Sequence, residues 1–177
     1  MIEDSYLVIQ CRRGNREALR QVYEKYRDHL LIVAMALCHD TDLAEDAVQD
    51  TFVTFARNAA SVRLGSRLRA YLATCAANRV RDLLRAQRRR ESSPIDVPEA
   101  CDEPVRGIVI NEELERLSKA LAKLPLEQRE VIVLRTHSQM RFRTIAEMQG
   151  ASVNTVKGRY RYGMQRLRTI LDGESFR

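Results

Sequence analysis

The chain has 177 residues, of which 45% are apolar and 31% charged. That is enough for one ordinary core or two small ones, and too polar for a membrane-embedded protein. No run approaches the ~18 consecutive apolar residues of a spanning helix. The opening MIEDSYLVIQCRRGN carries an acidic pair where an export signal carries positive charge, so the sequence reads as cytoplasmic, with no membrane insertion. The four cysteines, Cys11, Cys38, Cys75 and Cys101, form no CxxC pair. Three of them stand among apolar neighbours and read as small reduced core residues.

The net charge of +6 is unevenly spread. Residues 1–90 carry +5, residues 91–111 carry −4 and residues 112–177 carry +5. Between Arg63 and Arg90 there are nine arginines against Asp82 alone, and between Arg141 and Arg168 seven Lys or Arg against Glu147 alone. Clusters of this kind are either solvated basic faces or surfaces for a polyanion, whose phosphates supply most non-specific nucleic-acid affinity.

Glycine and proline are sparse and apolar residues recur at helical spacing, which predicts an all-α chain without strands. Asn15 is placed to cap a helix whose Ala18, Leu19, Val22, Tyr23, Tyr26, Leu30, Val33, Ala34 and Leu37 share one stripe. Asp42 and Glu45 have the spacing of a capping box ahead of Leu43, Ala47, Val48, Phe52 and Phe55. A long segment from near Ser66 packs through Leu68, Leu72, Ala76, Val80 and Leu83. These elements make a first domain over residues 1–90.

The stretch ESSPIDVPEACDEPVRG has three prolines and an excess of acid, the composition of an extended connector, and residues 91–111 read as an acidic linker. A second domain over residues 112–177 follows. It has Leu114, Leu117, Leu121 and Leu124 in heptad-like steps, Pro125 opening a helix and Val131 to Leu134 as a buried run.

Phe142 to Leu167 predicts a helix-turn-helix. Ala146 lies where two crossing helices require a small side chain, Gly150 where the turn requires positive φ, and Val156 is an inner anchor. Ser152 is placed to cap the second helix, whose Val153, Val156, Tyr160, Met164 and Leu167 form an inward stripe. Asn154, Lys157, Gly158, Arg161 and Tyr162 fall on the outer face. Amide and basic side chains there suit base edges and phosphates of the major groove.

On the long helix of the first domain, Arg67, Asn78, Arg81, Arg85 and Arg88 cluster away from the apolar stripe, while Arg69 and Arg79 fall off that face as snorkelling residues. Asp46, Gln49 and Asp50 share a face with no base from Asp40 to Asp50, either solvated or a dock for a basic partner. No GxSxG, HExxH, P-loop or glycine-rich dinucleotide turn is present, and the histidines show no ligand spacing, so neither enzyme, metal nor cofactor is predicted. Cys38 and His39 read as a helix-end pair rather than metal ligands.

In this order the features resemble the extracytoplasmic-function (ECF) sigma factors of bacterial RNA polymerase. DLAEDAVQDTFVTF resembles their polymerase-binding helix and LRAYLATCAANRVRDLLRAQRRR the helix that opens the −10 element. LAKLPLEQREVIVLR followed by IAEMQGASVNTVKGR resembles the −35-reading domain. The resemblance implies core RNA polymerase as partner, with its largest-subunit clamp helices on Asp46, Gln49, Asp50 and Val53. It implies promoter DNA on Arg63, Arg67, Tyr71, Asn78, Arg81, Arg85 and Arg88 for the −10 element. For the −35 element it implies Asn154, Thr155, Lys157, Gly158, Arg159, Arg161 and Tyr162. An anti-sigma factor is a further implied partner, with no residue identified to carry it.

The 21-residue linker extends to about 70 Å, the separation of two promoter elements two duplex turns apart. Two departures bear on specificity. Tyr71 stands where relatives commonly have Trp, and Tyr162, Gly163 and Met164 stand where an Arg-Ala-Arg run is common. The rival function is a stand-alone helix-turn-helix regulator, against which the acidic face and the long linker argue.

Overall fold

The computed structural model describes residues 2–62, 68–91 and 112–174. Among them the chain is all helical, with no strand. Residues 92–111 of the predicted acidic linker, Cys101 among them, and Arg63 and Arg67 lie outside the described residues, while Glu91 is helical.

The first cluster comprises α1 (Ile2–Arg12), α2 (Arg16–Cys38), α3 (Thr41–Asn58), a short 3-10 turn (Ala59–Ser61) and α4 (Leu68–Glu91). Asn15 caps α2, its side chain accepting from the N–H groups of Glu17 and Ala18. The apolar stripe of α2 packs on α3 and α4, and Leu30, Leu37, Phe55, Leu68 and Leu72 are fully buried. Each such side chain contributes about 1.5–3 kcal/mol of burial. Leu83 is only half-buried.

Two local expectations change. The cap of α3 is Asp40, whose carboxylate accepts from the N–H of Leu43, rather than a box of Asp42 and Glu45. The helix starts at Thr41, so Asp42 already lies in its first turn, where its charge complements the helix dipole. The second change is α1, which the spacing did not single out. It buries Leu7 and Val8, and its acidic pair holds Lys25 of α2 at 2.7 Å (Glu3) and 2.9 Å (Asp4).

The second cluster comprises α5 (Glu112–Ala122), α6 (Leu126–Thr136), α7 (Phe142–Gln149) and α8 (Val153–Glu174). The run Val131 to Leu134 is helical and buried. Gly150 ends α7 at φ 61°, and its N–H reaches the carbonyls of Ala146 and Glu147. A left-handed residue there lets the chain turn directly into α8. Ser152 caps α8 by accepting from the N–H of Thr155 at 3.0 Å.

Val156 and Leu167 are buried and Val153 and Tyr160 half-buried, but Met164 is exposed. The inward position in that turn belongs to Gly163, where a Cβ would stand 2.9 Å from Ile132 Cδ1 and 3.2 Å from Gln128 Cβ. The glycine lets α8 lie close on α6. The two clusters are in contact, with α2 packed against α5 and α6.

Candidate nucleic-acid and polymerase interface

Three faces carry the predicted residues. On α3, Asp46, Gln49 and Val53 are exposed and Asp50 is half-buried, one turn after another on one side of the helix. Asp50 accepts from Arg79 Nε at 2.6 Å, so Arg79 of α4 is an ion-pair partner and not a snorkelling residue. This face therefore mixes acid with one exposed apolar side chain, Val53.

On α4, the predicted DNA-facing residues divide. Asn78, Arg85 and Arg88 are exposed, with Arg85 3.9 Å from Asp82. Tyr71 is half-buried, its ring edge-on to Phe55 at 6.4 Å. Arg81 lies against the second cluster. Its Nε reaches Glu130 Oε1 at 3.1 Å, its Nη2 reaches Glu130 Oε2 at 2.7 Å, and its Nη1 donates to Asn78 Oδ1 at 3.3 Å. Glu130 is 1% exposed, so this is a charge pair largely removed from water, where geometry and full hydrogen bonding decide whether it is tolerated.

On α8, Asn154, Thr155, Lys157, Arg161 and Tyr162 are exposed, and Gly158 and Arg159 half-buried. Arg161 stacks on the Tyr162 ring, 4.8 Å from its centroid. The Thr155 hydroxyl shares a hydrogen bond with Ser152 at 2.8 Å, which ties it to the cap. Arg159 donates to Gln149 Oε1 at 2.7 Å, and Gln149 Nε2 donates to Glu130 Oε2 at 2.8 Å. A polar chain thus runs Arg81, Glu130, Gln149, Arg159, from α4 to the outer helix of the turn. Sequence reasoning passed over Glu130 and Gln149, and no spacing signal marks either one.

Arg69 is likewise not a snorkelling residue. Its guanidinium meets His29, with Nη2 3.1 Å from Nδ1, and donates to the His137 carbonyl at 2.8 Å. Arg129 donates to the carbonyl of Leu37 at 2.6 Å, supplying a cation to the C-terminal turn of α2. Cys38 donates to the carbonyls of Ala34 and Asp40, and burial pushes its thiol up to about 11. His39 ends α2 in a left-handed conformation at φ 57°. Among the described residues no His/Cys/Asp/Glu group has the arrangement of a metal site, and no helix is long and apolar enough to cross a membrane.

A helical cluster bearing an acidic face and an arginine-rich helix, joined to a helix-turn-helix with a basic outer face, defines a bipartite nucleic-acid-binding protein. Residues 22–90 match the family model for Sigma-70 region 2, and residues 114–167 that for Sigma-70, region 4. The ECF RNA polymerase sigma factor EcfG of Rhodopseudomonas palustris is 33% identical over 139 residues, covering 78% of this chain and 76% of the relative. The RNA polymerase sigma factor CnrH of Cupriavidus metallidurans is 30% identical, covering 97% of this chain and 96% of the relative.

Among solved structures, the sigma factor RpoE in complex with the anti-sigma factor NepR from Bartonella quintana superposes with a TM-score of 0.72. It is 28% identical, over 86% of this chain and 96% of that one. CnrH in complex with the cytosolic domain of CnrY gives a TM-score of 0.71 at 28% identity, over 97% of this chain and 98% of that one. The chain belongs to the ECF sigma factor family.

Proposed function

We propose that this sigma factor docks on the clamp helices of core RNA polymerase through Asp46, Gln49, Asp50 and Val53. In this reading residues 1–90 open the −10 element, residues 112–177 read the −35 element, and the acidic linker of residues 91–111 spans the two. Arg63, Arg67, Tyr71, Asn78, Arg81, Arg85 and Arg88 engage the −10 DNA. Asn154, Thr155, Lys157, Gly158, Arg159, Arg161 and Tyr162 engage the −35 DNA.

The observation that carries the reading is the exposed face of α8, where Asn154, Lys157 and Arg161 project from the outer side of a helix held by its cap and by Val156. Side chains so placed reach base edges when the helix enters a major groove. The family relatives solved with NepR and with CnrY support a protein antagonist as a further partner of this chain.

Run-off transcription with purified core polymerase on a genomic promoter library tests the reading. The expected result is initiation at a subset of promoters. A chain that neither binds core nor initiates anywhere refutes it. Asp46→Arg combined with Asp50→Arg is expected to weaken core binding with the helix content unchanged, and undiminished core affinity removes α3 as the dock.

A further inference from the structure

The chain has three histidines, and all three lie at the contact between the two clusters. His29 of α2 stacks on His137, in the turn after α6, with ring centroids 4.4 Å apart and planes 16° from parallel. His29 Nε2 shares a hydrogen bond with the buried Ser138 hydroxyl at 3.1 Å, across the seam. At the other end of α2, His39 Nδ1 shares one with Ser118 of α5 at 3.2 Å. His39 Nε2 and His137 Nε2 are buried with no hydrogen-bond partner.

The charges that face these rings are arginines. Arg69 of α4 lies with Nε 3.3 Å from His29 Nε2 and Nη2 3.1 Å from His29 Nδ1, so at least one ring nitrogen presents a lone pair to a guanidinium. The same guanidinium acts on His137. Arg129 of α6 acts on His39. The nearby acids are engaged elsewhere: Asp28 pairs with Arg27 at 3.0 Å, and Asp40 caps α3. Cys38, beside His39, is a neutral thiol whose hydrogen goes to backbone carbonyls. Each arginine also crosses the seam to a carbonyl, Arg69 to His137 and Arg129 to Leu37.

We infer that His29, His39 and His137 form a proton-sensitive latch that holds the two DNA-binding modules together while the rings are neutral and lets them part as the rings take up protons. A proton on His29 sets an imidazolium against the Arg69 guanidinium and against His137. A proton on the partnerless Nε2 of His39 or His137 buries a charge with no acceptor, which is costly. Parting the modules returns the rings to water and takes His137 from His29, Arg69 from His137 and Arg129 from His39, while Arg69 stays beside His29 on the same module. It also separates Arg81 from Glu130, so on the proposed reading of α4 the closed form masks one DNA-facing arginine.

The sign follows from linkage. Burial, then the neighbouring His137 and Arg69, holds His29 down at about 4; burial, then Arg129, holds His39 at about 4; and burial, then Arg69, lowers His137. In the parted chain each ring returns toward the ordinary histidine value near 6.5. The latch therefore contributes fully above about pH 6.5 and is lost as the pH falls toward about 4. Between about pH 7.5 and pH 5, His39 shifts the equilibrium toward the open form by about 30-fold, and His29 shifts it the same way by less, because Arg69 stays beside it.

Small-angle scattering of the free full-length chain across this range, with circular dichroism alongside, tests the inference. The expected result is a larger radius of gyration at about pH 5 with helix content unchanged, reversed on return to about pH 7.5. His29→Gln keeps a donor and an acceptor but no titrating ring, and His137→Phe keeps the stack; each is expected to move the expansion to lower pH or shrink it. Dimensions that do not change with pH, expansion accompanied by loss of helix, or an unaltered acid expansion in both variants overturns the latch. None of these measurements involves polymerase or promoter DNA, so a failure of the latch leaves the transcription test of the function untouched.

Discussion

The two basic helices, α4 and α8, look alike as sequence and differ as structure. Along α4, three arginines are committed to partners on neighbouring helices: Arg69 to His29 and the His137 carbonyl, Arg79 to Asp50 at the surface, and Arg81 to the buried Glu130. Along α8, Lys157 and Arg161 stand exposed, and only Arg159 is drawn inward, onto Gln149. A run of positive charge is thus two things at once, a surface for a polyanion and a set of structural counter-ions. Charge counts do not separate them. What separates them is whether a carboxylate or a carbonyl of a neighbouring helix lies within reach.

The sharpest way to break that comparison is Arg81→Ala. It leaves Glu130, at 1% exposure, with Gln149 as its remaining partner, and stripping one member from a buried pair costs about 3–5 kcal/mol. Urea denaturation is expected to show a loss on that scale, whereas Arg85→Ala, on the same helix but exposed, stays within about 0.5 kcal/mol. Equal effects of the two substitutions would erase the division of α4 into structural and solvent-exposed arginines.

On α8 the expectation reverses. Lys157→Ala combined with Arg161→Ala leaves stability nearly unchanged and reduces −35-dependent initiation, with each base-reading contact worth about 1–3 kcal/mol. An equal loss on unrelated duplex DNA would assign both side chains to phosphate contacts alone. A smaller effect is expected from Ser152→Ala, which removes the acceptor for the N–H of Thr155 and costs about 1 kcal/mol of stability. It should lower the melting temperature while a short promoter duplex, at saturating concentration, restores part of it.

How far the residues foretold this arrangement depends on the range of the interaction. Caps, turns and stripes are local, and Asn15, Gly150, Ser152 and Val156 sit where their spacing placed them. The exposure of Asp46, Gln49, Val53, Asn154, Lys157, Arg161 and Tyr162 followed from the same periodicity. The α3 cap moved to Asp40 because several acids compete within a few residues, and only the backbone decides which one is extended. Helix α1 escaped notice because Leu7 and Val8 are adjacent rather than periodic, and its docking rests on a Lys25 pair more than 20 residues away. The seam was illegible for a stronger reason. His29 meets Ser138 across 109 positions and Arg81 meets Glu130 across 49, and no pattern in a single sequence pairs residues at that distance.

The smallest expected effect is that of Gly163→Ala, at a residue which the sequence pattern assigned to a departure in DNA contacts and the structure places in the core. Adding a methyl group in a helix interior gains about 1 kcal/mol of propensity over glycine. The same methyl would stand 2.9 Å from Ile132 Cδ1, a side-chain end that swings, and 3.2 Å from Gln128 Cβ, which moves only with the backbone of α6. The two terms nearly cancel, so Gly163→Ala is expected to change stability by under about 1 kcal/mol. Gly163→Val adds branches that cannot clear α6, and overpacking of that kind costs about 1–3 kcal/mol. Because α6 also carries Glu130, a valine that pushes α8 outward should lengthen the path from Gln149 to Arg159 and weaken −35-dependent initiation, while the alanine variant initiates as the parent does. Full activity in a destabilised valine variant would show that the outer face of α8 tolerates displacement from α6, and that Gly163 serves packing alone.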